Sequence, residues 1–210
     1  MRMLELADIY SKYKALIFDL DGTLIDSEPL HLQAWNEINT KYNLPLMTLD
    51  YMKSVGGIST AKICAMYCRQ HQRADLDTEA VAIEKGALYK EKYMASVPLN
   101  PKIASILCKA HNLGLKTAVA TGSQLPETKF LLKKHELLDK VDAIVTSDQV
   151  AHCKPAPDTY LTAAMRLSTA PSQCLVFEDT LIGLQGIKAA GMTALQVLDD
   201  EIISDFIYAD

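Results

Sequence analysis

Apolar positions along the chain follow two rhythms, and the change comes near residue 95. From Lys14 the run Ala15-Leu16-Ile17-Phe18 is apolar without a break, which predicts a buried strand over residues 14–19. Residues two apart in an extended chain point the same way, so Phe18 and Leu20 can enter a core while Asp19 and Asp21 face a common site. Ser27 then suits a helix cap and Pro29 a first turn. From there to about Tyr93 the segments LHLQAWNEINTKY, ISTAKICAMYCRQH and TEAVAIEKGALYKEKYM place apolar residues at three-to-four spacing. That pattern predicts helices, with no buried strand among them.

Pro98 and Pro101 mark a boundary. Beyond it helices and strands alternate. A helix is predicted over about 101–113, stopped by Gly114, then a strand over 115–120. A helix follows over about 125–136, a strand over 143–146, and a helix from Pro157 to about 168. The strand CLVF covers 174–177, a helix covers 181–190 with Gly191 behind it, and MTALQVL is the last strand. Residues 1–13 read as a short lead-in with helical character. Alternation of this kind predicts an α/β protein with a doubly wound parallel sheet. The core is assigned to residues 1–24 and 96–210. An all-helical cap, residues 25–95, is inserted through linkers near 24–28 and 93–99. The sequence has no internal repeat and no low-complexity segment.

Composition narrows the function classes. The 210 residues suit one large domain or a core with an inserted module. Net charge is −5 and no Lys/Arg block stands out, which argues against nucleic acid as a partner. No stretch reaches the ~20 apolar residues that a membrane span needs, and the first residues lack the apolar run of a secretory signal. The five cysteines, Cys64, Cys68, Cys108, Cys153 and Cys174, are odd in number and irregularly spaced. They read as reduced thiols of a cytoplasmic protein. Cys64 and Cys68 lie four apart on a helix, but no second pair completes a metal site, so they are assigned to packing.

Chemistry gathers where the strands end. In open α/β sheets ligands bind beyond the carboxyl ends of the strands. The first strand ends at Asp19. The second ends at Thr121-Gly122-Ser123, the third at Thr146-Ser147-Asp148 with Lys154 in the same loop, and the fourth at Glu178-Asp179. Two acids as close as Asp19 and Asp21 repel unless a proton or a cation offsets the charge. Carboxylate oxygens suit Mg²⁺, while a hydroxyl, a helix-entry N–H and an ammonium suit a phosphate. Each piece alone has a plainer reading. Thr121-Gly122-Ser123 is also an ordinary strand-to-helix turn, a lone lysine is most often solvated, and Glu178-Asp179 is also an acid pair at a helix N-terminus.

Taken together and in order, DLDGTL, ATGS, KPAPD and FEDTLIGLQGIKAAGM resemble the four motifs of the haloacid dehalogenase superfamily, mostly phosphohydrolases. The third departs from the pattern, with Cys153 where these proteins often have Gly before the lysine. The resemblance implies a Rossmann-like core with Asp19 as nucleophile, forming an aspartyl-phosphate, and Asp21 as general acid and base. It implies Mg²⁺ held by Asp19, the backbone carbonyl of Asp21, and Asp179, with Glu178 a ligand or an anchor behind them. Thr121, the N–H of Gly122 and Lys154 would bind the transferring phosphoryl oxygens.

An insert at this point of the chain resembles the branch of small sugar-phosphate phosphatases and β-phosphoglucomutase-like enzymes. It offers His31, Gly56-Gly57, Thr60 and Lys85 as substrate contacts. Trp35, four residues after His31, is assigned to the packing of the insert; His31 reads equally as a hydrogen-bonded helix histidine, and the plainer reading of Lys85 is a solvated helix residue. The mutases of that branch carry a basic residue where Thr60 stands, which favours a phosphatase over a phosphomutase. A signalling receiver domain is shorter, lacks the insert and takes its phosphoacceptor from a later strand. An inactive relative would lack some of the side chains that are all present here. The expected protein is a monomeric, Mg²⁺-dependent phosphatase acting on a small-molecule phosphate ester.

Overall fold

The computed structural model describes residues 6–198 and 201–202. The chain divides into two compact units, one holding the residues up to Asp26 and those from Leu99 onward, the other Ser27–Pro98. These bounds fall a few residues later than the predicted insert at both ends.

The first unit carries a sheet of β1 (Ala15–Phe18), β2 (Lys116–Ala120), β3 (Ala143–Val145), β4 (Cys174–Glu178), β5 (Thr193–Leu198) and β6 (Glu201–Ile202). Their order is β3-β2-β1-β4-β5-β6. The first five are parallel, and β6 pairs antiparallel with β5 through Val197↔Ile202. The expectation that MTALQVL ends the sheet is therefore corrected: a two-residue strand follows it, too short to show any periodicity. Every residue of β1 and β4 is buried, as in parallel sheets covered on both faces.

Alternate residues of each strand serve opposite faces. Ala15, Ile17, Ala118, Ala120, Val176 and Ala194 join one core cluster with Tyr160, Ala163, Leu184 and Ile187. Small strand residues on that face let α8 (Asp158–Arg166) and α9 (Leu181–Ala189) lie close to the sheet. The neighbouring position Phe18 pairs with Phe177, and their rings stack at 4.8 Å. The remaining helices of this unit are α1 (Leu6–Lys12), α6 (Pro101–Asn112) and α7 (Leu125–Lys134). Of the predicted lead-in, residues 6–12 are helical and Tyr13 follows the helix; the first five lie outside the described residues. Asn100 caps α6 by accepting from the N–H groups of Lys102 and Ile103, both at 3.2 Å. At the other end Gly114 takes φ +77°, the left-handed turn that ends the helix.

The second unit is helical among its described residues: α2 (Glu28–Lys41), α3 (Leu49–Ser54), α4 (Thr60–Gln70) and α5 (Thr78–Leu88). A π turn, Tyr89–Tyr93, and a short 3-10 turn, Met94–Ser96, continue α5. Trp35, Ile38, Met52, Ile63, Tyr67 and Val81 form its core, so Trp35 packs as the sequence predicts. Helix α3 escaped the periodicity because six residues hold fewer than two turns. Its signal was local: the Thr48 side chain accepts from Tyr51 N–H. Ser27 stands at the start of α2 but makes no side-chain cap, because its own backbone is already helical (φ −89°, ψ −17°). All five cysteines are free thiols, with Cys64 and Cys68 buried in α4.

Candidate active site

The parallel register sets the site. Phe18 pairs with Val119 on one side and Phe177 on the other, so β1, β2 and β4 end level with one another. The N–H of Asp19 donates to Phe177 O at 2.9 Å and that of Thr121 to Val145 O at 2.9 Å, which fixes both residues at the sheet edge. Here the strand order reverses direction about β1, the position where α/β sheets open a crevice.

Asp19, Glu178 and Asp179 each offer a carboxylate oxygen within 4.8 Å of the others. Lys154 reaches into this group, its ammonium 2.6 Å from Asp19 Oδ1 and 2.8 Å from Glu178 Oε2. One buried ammonium thus faces three carboxylates. Burial pushes the Asp19 carboxyl up to about 8; Lys154 works against that rise, and Glu178 and Asp21 add to it. Burial, then Glu178 and Asp19, hold the Asp179 carboxyl well above its ordinary range. Burial also works to raise Glu178, but Lys154 and hydrogen bonds from Thr180 and Tyr160 outweigh it and keep this carboxyl low. The Lys154 ammonium is held firmly charged, since Asp19 and Glu178 overcome its loss of solvation.

The donor set fits a hard divalent cation. All three groups are carboxylates, and the positive charge already present leaves them under-compensated. Asp19 and Asp179 are the members with room to ligate. Glu178 is spoken for: Oε2 accepts from Lys154 and, at 2.7 Å, from Tyr160. Its Oε1 accepts from Thr180 N–H at 3.0 Å and Thr180 Oγ1 at 2.6 Å. Four donors use both lone pairs of each oxygen, so direct ligation would cost Glu178 a hydrogen bond.

Two glycines make this crowding feasible. A Cβ at Gly183 would lie 2.1 Å from the Glu178 carboxyl carbon. A Cβ at Gly22 would lie 2.3 Å from Asp179 Oδ2, and Gly22 also takes φ +83°. Beside it, Thr23 donates to Asp179 Oδ1 at 3.0 Å.

Asp21 stands apart from the carboxylate cluster. Its Oδ2 accepts from Ser123 Oγ at 2.6 Å, and its backbone bridges to Ile25. The Thr121 hydroxyl accepts from Ser123 N–H at 3.0 Å, and a hydroxyl that accepts there keeps its own proton to give. A Cβ on Gly122 would meet nothing within 4 Å, so its backbone is open to an approaching group. Asp19, Glu178, Asp179 and Lys154 are thus brought together, with Asp21 and Thr121 tied to each other through Ser123. The residues that the sequence reading gave no role are Thr23, Ser123, Tyr160 and Thr180. Three of them lie inside the motifs DLDGTL, ATGS and FEDTLIGLQGIKAAGM; Tyr160 lies six positions beyond Lys154, with no local signal for its contact.

In the helical unit the structure corrects one expectation. Lys85 is not solvated but 2% exposed. Its Nζ is 2.7 Å from His31 Nδ1 and lies 5.3 Å from the Trp35 ring centre and 5.1 Å from that of Tyr89. The His31 ring stacks on Tyr89 at 3.8 Å. Burial and the neighbouring ammonium hold the imidazole well below its ordinary value, so it accepts from Lys85 as a neutral ring. The cation–π contacts explain why a helix with four-residue spacing turned its lysine inward. Gly57 is exposed at φ +78°, and Thr60 opens α4 after the Ser59 cap.

Known proteins resemble this chain along nearly its whole length. It is 39% identical over 189 residues to fructose-1-phosphate phosphatase YqaB of Escherichia coli, covering 90% of this chain and 98% of the relative. It is 30% identical to the β-phosphoglucomutase of Bacillus subtilis, over 88% of this chain and 83% of that one. The crystal structure of CbbY from Rhodobacter sphaeroides in complex with phosphate matches with a TM-score of 0.76 and 28% identity, covering 94% of this chain and 92% of that one. A family model described as haloacid dehalogenase-like hydrolase matches residues 13–191, and this chain, with its three carboxylates gathered round one lysine at the sheet edge, belongs to that family of hydrolases.

Proposed function

We propose that the protein is a Mg²⁺-dependent phosphatase that releases inorganic phosphate from a small sugar phosphate through an aspartyl-phosphate on Asp19. The observation that carries this reading is the Asp19 carboxylate held 2.6 Å from the Lys154 ammonium beside two further acids. A nucleophilic carboxylate must be ionised, and burial opposes that with one cation alone. Mg²⁺ held by Asp19, Asp179 and the backbone carbonyl of Asp21 would supply the missing charge and lower the repulsion between carboxylate and phosphoryl group.

An Asp19 oxygen attacks phosphorus and the bond from phosphorus to the ester oxygen breaks. Asp21 gives its proton to the departing oxygen. The same carboxylate then takes a proton from water as that water attacks phosphorus and frees Asp19. Ser123 orients Asp21 for both tasks through its 2.6 Å hydrogen bond. Lys154, the Thr121 hydroxyl and the N–H of Gly122 receive the phosphoryl oxygens as charge moves onto them. Glu178, saturated by four donors, anchors Lys154 and leaves ligation to Asp19 and Asp179.

The likeness to fructose-1-phosphate phosphatase supports a ketose 1-phosphate as the first substrate to try. Phosphomutase is the second reading, favoured by the likeness to β-phosphoglucomutase. Thr60, where the mutases carry a basic residue, argues for hydrolysis. A panel of sugar phosphates with Mg²⁺, assayed for phosphate, tests the first reading. β-Glucose 1-phosphate with a bisphosphate primer tests the second. Phosphate release from a ketose 1-phosphate supports the phosphatase, and isomer formation that outpaces phosphate release overturns it.

A further inference from the structure

Tyr160 is a buried residue in contact with the site to which neither the motifs nor the mechanism gives a task. It is 0% exposed and sits on the inner face of α8, within the core cluster. A phenol there could simply fill space, yet its hydroxyl donates to Glu178 Oε2 at 2.7 Å. That same oxygen accepts from Lys154, whose other short contact is Asp19. The Lys154 ammonium also lies 5.0 Å from the Tyr160 ring centre, so the ring presents its face to the cation. Space for this arrangement is made by a neighbouring glycine: a Cβ at Gly186 would come within 3.1 Å of Tyr160 Cε2 and of Ala156 O.

We infer that Tyr160 is a positioning residue for Lys154, acting through Glu178. Its hydroxyl occupies one of the two acceptor directions on Oε2. Lys154 must then use the other, which directs the ammonium to the side where Asp19 stands. Without the hydroxyl, both directions on Oε2 are open to Lys154. The ammonium then settles more fully on Glu178 and draws back from Asp19 and from any phosphoryl oxygen bound beside it. A residue that only filled the core would have no bearing on where Lys154 points. This role rests on the phosphatase reading only in its kinetic consequence; the placement of Lys154 is independent of the reaction.

The substitution Tyr160→Phe keeps the ring and removes the hydroxyl. Turnover is expected to fall about tenfold, since small displacements of a group that meets the transition state are costly. KM for the sugar phosphate should change much less than kcat. The loss should shrink to less than about twofold when Tyr160→Phe is made in a Glu178→Gln background, because the hydroxyl acts through that carboxylate. Unchanged kcat in Tyr160→Phe, or an equal loss in both backgrounds, overturns the inference. Crystal structures of wild type and Tyr160→Phe supply the second readout. Lys154 Nζ should move out of hydrogen-bond reach of Asp19 in the variant, and an unmoved Lys154 overturns the inference whether or not the protein hydrolyses any ester. Absence of phosphate release from the wild type, by contrast, counts against the phosphatase reading alone. Should Tyr160→Phe fail to fold, difluorotyrosine at position 160 keeps the hydroxyl in place while making it a stronger donor and weakening the ring face that meets Lys154. A change in kcat then supports the inference, and an unchanged kcat overturns it.

Discussion

Around Asp19 a single buried ammonium answers three carboxylates, and that imbalance sets what each residue can do. Removing one partner of a buried ion pair is costly because the other charge is stranded. Adding a cation does the opposite, so Mg²⁺ should stabilise the protein. At a hundredfold over its dissociation constant the gain is about 2.7 kcal/mol. Thermal unfolding with Mg²⁺ and with chelator measures it, and the Asp179→Asn variant should lose most of the difference. A midpoint indifferent to Mg²⁺ would remove the metal from the account. Gly22 offers a second test at this scale. Its φ of +83° costs an alanine about 1–2 kcal/mol, and the new Cβ would meet Asp179 Oδ2 at 2.3 Å. Gly22→Ala should therefore lower both the unfolding midpoint and phosphate release. Full phosphate release with a lowered midpoint would show that the close approach to Asp179 has no catalytic bearing.

At the scale of elements, the pair formed by α2 and α5 carries a pH-dependent contribution. His31 of α2 has its imidazole pKa held well below 6.5 by burial and by Lys85 of α5, with Tyr89 stacked on its other side. Below pH 6.5 the unfolded chain binds a proton there that the folded chain does not. Stability from this residue is therefore complete above about 6.5 and is lost as pH falls, by up to about 1.4 kcal/mol per pH unit. Urea unfolding at about pH 5 and about pH 7 should show this slope, and His31→Gln should flatten it. An unchanged slope in the variant would place the acid sensitivity elsewhere. This pair also shows where sequence reading stops. Lys85 has the spacing of a solvated helix residue, and only the rings of Trp35 and Tyr89 reveal why it turns inward. Periodicity needs length, so the core strands and long helices were legible, whereas α3 and β6 were not. Ser27 carried the right side chain for a cap, but its helical backbone withholds the geometry.

For the molecule as a whole, the sheet order gathers chemistry that the chain scatters. Residues at four strand ends, spread from Asp19 to Asp179, had to meet once the strands were parallel and in register. The motif side chains were legible in the sequence for that reason. The contacts that orient them were not, because Tyr160 reaches Glu178, and Ser123 of the ATGS motif reaches Asp21, through tertiary packing that leaves no spacing in the chain. The family likeness covers both units, from residue 13 to 191, and is equally silent on which ester is taken. The claim on which the rest depends is that Asp19 attacks phosphorus. Phosphate release by Asp19→Asn, measured beside the wild type on an aryl phosphate with Mg²⁺ and with circular dichroism to verify the fold, tests it most directly. Loss of turnover in a folded variant is the predicted result, and wild-type turnover in that variant would contradict it.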